Sequence, residues 1–95
     1  MISERTATSL AKIDELLPML KALPTSSDQD RLINDAEALR RAVAAFHMEA
    51  IRFRMYSVDR DVAQIGNPPE IRAKFDELRQ ALEAAGFHTR SHTAP

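Results

Sequence analysis

The stretch Phe46-His47-Met48-Glu49-Ala50-Ile51-Arg52-Phe53-Arg54-Met55-Tyr56 decides how this chain is read. It contains no glycine and no proline. Wound as a helix at about 100° per residue, it is apolar on most sides. Two apolar stripes meet in it. Leu32, Ala36, Leu39, Val43, Phe46, Ala50 and Phe53 line one face, and Met48, Ile51, Met55, Val58, Val62 and Ile65 line another, roughly 120° around at helical spacing. A helix of that kind needs partners on more than one side.

Outward from this stretch, the nearest strong breakers are Pro24 and Gly66. Ser26 followed three residues later by Gln29 forms a capping box, and Asp28 and Asp30 place negative charge at the positive end of the helix dipole. The spacing therefore predicts one helix over 27–65, about 39 residues and roughly 58 Å long. A first helix is predicted over 3–23, capped by Ser3, with Leu10, Ile13, Leu16, Leu17, Leu20 and Leu23 as its stripe. Pro18 lies within it and predicts a kink rather than a stop, because the stripe keeps its phase. A last helix is predicted over 68–85: Gly66 closes the helix before it, Asn67 caps it, Pro68 takes its first position and Glu70 completes a capping box. Ile71, Phe75, Leu78 and Leu82 form its stripe, and Gly86 with Phe87 ends it. Residues 88–95 are polar and aperiodic, and read as a flexible tail after a single helical domain over 1–87.

Short connections make neighbouring helices antiparallel. The two short helices then cover the long one in series and share little contact. The expected fold is all-α: an elongated, hairpin-like three-helix bundle with a long central helix, completed by dimerisation into a larger helical bundle. A compact domain of this length has a radius of gyration of about 12 Å, which a 58 Å helix exceeds. The sequence thus implies a homodimer whose long helices cross near Phe46, Met48, Ile51, Phe53, Met55 and Tyr56. The alternative is a break near Ser57 that yields a compact four-helix monomer.

Composition narrows the function. The chain of 95 residues has no cysteine and no tryptophan, with 13 basic against 14 acidic residues and a formal net charge of −1. It cannot form disulfides or Cys-ligated metal sites. The balanced charge argues against nucleic acid or an anionic membrane as partner. Arg52 and Arg54 alternate with Phe53 and Tyr56, but six Arg between Ser26 and Gly66 are balanced by seven acidic residues. No basic and apolar leader opens the chain, and no run approaches the ~18 apolar residues of a membrane span. A cytoplasmic protein is expected.

Arg40, His47, Arg54 and Asp61 recur every seven residues, forming a polar row between the two apolar stripes. Such a row reads as a polar layer that fixes register. Its alternative use is an acid–base or phospho-accepting His47 with Arg54 or Arg40 as anion contact. Over one helical turn, His47-Met48-Glu49 resembles the phosphorylated-histidine helices of two-component signalling. The Lys-Gly of phosphotransfer domains and the Glu-Leu-Arg-Thr-Pro run of kinase dimerisation domains are both missing. His88 and His92 stand four apart, a metal-ligand spacing that no neighbouring cysteine or carboxylate completes. Neither a metal nor a cofactor is expected. No glycine-rich loop or nucleophile elbow is present. The expected function is a non-enzymatic protein–protein interaction module of adaptor, chaperone or regulatory-subunit type, self-associating through its central helix. The alternative is a small enzyme or phosphorelay element using His47 with Arg54.

Overall fold

The structure is a computed structural model and describes residues 4–87. Among the described residues there are four helices and no strand: α1 (Glu4–Lys21), α2 (Ser27–Ala44), α3 (Met48–Gln64) and α4 (Pro69–Ala84). The long helix expected over 27–65 is therefore two helices. They are separated by Ala45, Phe46 and His47, ten residues before the Ser57 position considered for a break.

The corner is built from the backbone. Phe46 N–H donates to the Val43 carbonyl at 3.1 Å and His47 N–H to the Ala42 carbonyl at 3.0 Å. This is the Schellman pattern, and it places Phe46 in the left-handed region at φ 59°. The same pair of bonds closes α3 around Gly66 (φ 91°) and α4 around Gly86 (φ 96°). Two of these three turns use the residue that sequence reasoning looks for, and the third uses phenylalanine. Left-handed backbone costs a side-chain-bearing residue roughly 1–2 kcal/mol. In return, α3 folds back on α2 and buries Ile51, Met55, Val58 and Val62 completely, each worth about 1.5–3 kcal/mol. The two stripes 120° apart are thus the core faces of two antiparallel helices.

His47 then begins α3. Its Nδ1 accepts the Ala50 N–H at 3.2 Å, and its carbonyl accepts the Ile51 N–H at 2.9 Å. The α1–α2 connection uses a different device. Ser26 Oγ accepts the Gln29 N–H at 3.0 Å, as the capping box requires. The buried Gln29 amide instead donates to the carbonyls of Leu20 at 3.1 Å and Leu23 at 2.9 Å, so one side chain from α2 caps the end of α1. Helix α1 runs through Pro18 to Lys21, in keeping with the unbroken phase of its stripe. Ser3, its expected cap, lies outside the described residues. At α4 the cap is Pro68 and not Asn67. Asn67 sits at φ 53°, and its Oδ1 accepts from Arg72 Nη2 at 2.6 Å.

Helix α1 packs against both α2 and α4, α2 packs against α3, and α3 meets α4 only sparingly. This corrects the expectation that the first and last helices share little contact. The core runs through all four helices, from Ile13, Leu16 and Leu20 in α1 to Phe75, Leu78 and Leu82 in α4. The radius of gyration is 12.4 Å and the extents are 34 × 33 × 19 Å. The chain meets its own packing requirement as a bundle, so its core does not call for a second copy. Ion pairs run along every seam: Arg40–Asp14 at 2.7 Å between α1 and α2, Lys74–Glu15 at 2.7 Å between α1 and α4, and Arg72–Asp59 at 2.6 Å between α3 and α4. Exposed pairs of this kind stabilise little individually but disfavour a slipped register.

Candidate functional site

Two features of α3 bear on function: its outer face, and the polar cluster it forms with α2. The cluster follows from the corner. With the turn centred on Phe46, Asp35 comes opposite Ser57, within reach of Arg54, Arg60 and Asp61. Arg54 Nη1 donates to Asp35 Oδ1 at 3.3 Å, and Arg60 Nη2 stands 3.3 Å from Asp61 Oδ1 and 3.9 Å from Asp35 Oδ2. Asp61 is 2% exposed, and its Oδ2 is buried without a donor. Burial pushes the Asp61 carboxyl up to about 6, helped by the hydrogen bond its protonated form donates to the facing Asp35 and by the charge of that residue, and opposed by Arg60. A proton on this carboxyl pair satisfies an oxygen that no donor reaches.

The polar row thus exists as sequence but not as one row in space. Arg40 pairs with Asp14 across the α1–α2 seam through bonds of 2.7 and 3.2 Å. His47 is exposed and caps α3, while Arg54 engages Asp35 and lies over the Phe53 ring at 5.1 Å. Each is committed to a different partner. Of the four, Arg54 and Asp61 come together, through an Asp35 that sequence reasoning missed. The signal for Asp35 was available only once the chain was folded at Phe46. His88 and His92 lie outside the described residues. Among the described residues, no group of three or more His, Asp or Glu side chains is placed to hold a metal ion. No described helix is long and apolar enough to cross a membrane.

The six apolar residues singled out near the corner divide. Ile51 and Met55 are fully buried in the core. Phe46, Met48, Phe53 and Tyr56 are 38, 39, 53 and 43% exposed, and they are the exposed large hydrophobics among the described residues. Phe46 packs on Phe87 with ring centroids 5.5 Å apart, and the Arg5 guanidinium covers both rings at 5.7 and 5.2 Å. Phe53 and Tyr56, three apart, share the outer face of α3. At the opposite end of the bundle, Leu23, Pro24, Gln29, Ile65 and Pro68 line an apolar groove of about 210 Å³, where the Gln29 amide nitrogen is spent on the α1 carbonyls. No family model, no curated protein and no solved structure matches the chain.

Proposed function

We propose that the chain is a non-enzymatic helical interaction module of the adaptor or regulatory-subunit kind, docking through the corner and outer face of α3. One observation carries this reading. Among the described residues the exposed large apolar side chains gather on one helix and its leading turn, while the other large apolar residues are buried in the core or packed half-buried against it. Exposed large apolar side chains gathered in this way are costly in water and point to an interface. Aromatic and methionine side chains are the types that interfaces favour. The alternative built on His47 and Arg54 has less support, since the first serves as a helix cap and the second is held by Asp35. A photo-crosslinking residue at Phe53, with Ala73 on exposed α4 surface as control, tests the reading in cells. Adducts specific to position 53 are expected, and equal or absent adducts at both positions overturn it.

A further inference from the structure

The outer face of α3 is complementary to itself. Glu49, Phe53, Tyr56 and Arg60 follow one another at steps of four, three and four residues, the spacing of a coiled-coil seam, and all four are exposed. A two-fold axis perpendicular to α3 between Arg54 and Met55 carries this set onto itself. Glu49 falls opposite Arg60 of a second copy, and Phe53 opposite Tyr56. Within its own chain Arg60 turns Nε and Nη2 to Asp61, so the pair across the axis falls to Nη1. Charge meets opposite charge, and ring meets ring. Each of these matches occurs twice, because an isologous interface repeats every contact. A parallel arrangement of the same seam would set Glu49 against Glu49 and Arg60 against Arg60.

Resting on the interaction reading above, we propose that the partner of this face is a second copy of the chain, paired antiparallel along α3. Antiparallel packing also sets the two helix dipoles favourably. The cross-section is one helix pair, at or below the low end of the ~1,200–2,000 Å² buried by stable complexes, so the dimer forms on the order of 100 µM rather than at nanomolar concentration. The core closes without the partner, so monomer and dimer interconvert without unfolding.

The absence of cysteine makes the test clean. Sedimentation equilibrium of the full chain from about 10 µM to 1 mM, spanning that range, is expected to show a monomer–dimer equilibrium. Phe53→Asp, at a half-exposed site, weakens it at least tenfold while circular dichroism keeps the helical signal. Orientation is read by oxidation of single-cysteine variants. Glu49→Cys alone and Arg60→Cys alone form few covalent dimers, whereas their mixture cross-links. A chain that stays monomeric to 1 mM, or variants that cross-link as well alone as mixed, overturns the antiparallel pairing. If the chain is monomeric but Phe53-specific adducts persist in cells, the second-copy proposal falls and the interaction reading stands. If both are lacking, both fall.

Discussion

Phe46 carries the topology on a single torsion angle. Its φ of 59° lies where glycine stands in the two equivalent turns at Gly66 and Gly86, and what holds it there is the packing on either side of the corner. The cost of that angle can be read by comparing two truncations. Phe46→Ala and Phe46→Gly both remove the ring from Phe87 and Arg5, but only glycine relaxes the backbone. The glycine variant is therefore expected to be more stable than the alanine variant by ~1 kcal/mol in chemical denaturation. Gly66→Ala is the converse. A Cβ there meets nothing within 4 Å, so its expected loss of ~1 kcal/mol is purely conformational. Asp61 gives a prediction of the opposite sign. Its carboxyl, raised from 3.8 to about 6, keeps a proton in the folded state that the unfolded chain has already released. Stability from this residue is complete below pH 4, falls as pH rises through about 6, and is lost above. Asp61→Asn is expected to be more stable than the parent at pH 7 by on the order of 2 kcal/mol, with a flatter profile between pH 4 and 7.

At the scale of elements, the helices were legible wherever their ends carried glycine or proline. The end of α3 at Gly66 and the end of α4 at Gly86 follow from residue type alone. The end of α2 does not, because alanine, histidine and methionine all propagate a helix and nothing in Ala44-Ala45-Phe46-His47-Met48 signals a stop. The phase difference between the two stripes was the true signal, and it was open to two readings. One long helix with two partners and two short helices facing each other produce the same pattern. The α1–α2 turn shows how a side chain can replace a terminator. Gln29→Leu roughly keeps the size of the residue but takes the side-chain donor from the Leu23 carbonyl and leaves the Leu20 carbonyl only the Leu23 N–H at 3.2 Å. A loss of about 1–3 kcal/mol in denaturant unfolding is expected, with the N-cap at Ser26 intact.

At the scale of the whole molecule, the ion pairs and the buried carboxyl act on stability from opposite directions. Arg40 and Lys74 hold Asp14 and Glu15 below their ordinary range, and Lys12 with Lys74 does the same for Glu77. Their contribution is present above the ordinary carboxylate range and is lost as pH falls through their lowered values. Asp61 acts in the reverse sense from about pH 4 to 6. Thermal unfolding measured across pH is expected to show a maximum between the ordinary carboxylate values of 3.8 and 4.5, falling on both sides. In Asp61→Asn the alkaline side of the maximum flattens while the acid side remains. Salt is expected to weaken the acid limb more, because Asp14, Glu15 and Glu77 are exposed and Asp61 is not.

The sequence by itself determined that the chain is helical, which side chains form its apolar faces, and where it must turn at glycine and proline. Those are properties of near neighbours, written in spacing of three and four residues and in backbone preference. Whether the two central stripes belong to one helix or to two was decided only by tertiary structure. The difference between the two is a left-handed phenylalanine costing about 1–2 kcal/mol against several buried side chains at about 1.5–3 kcal/mol each, and that balance exists only when the rest of the bundle is in place. The same folding step brought Asp35 to Asp61, turned Ile51 and Met55 inward, and left Phe53 and Tyr56 on the outer face of α3.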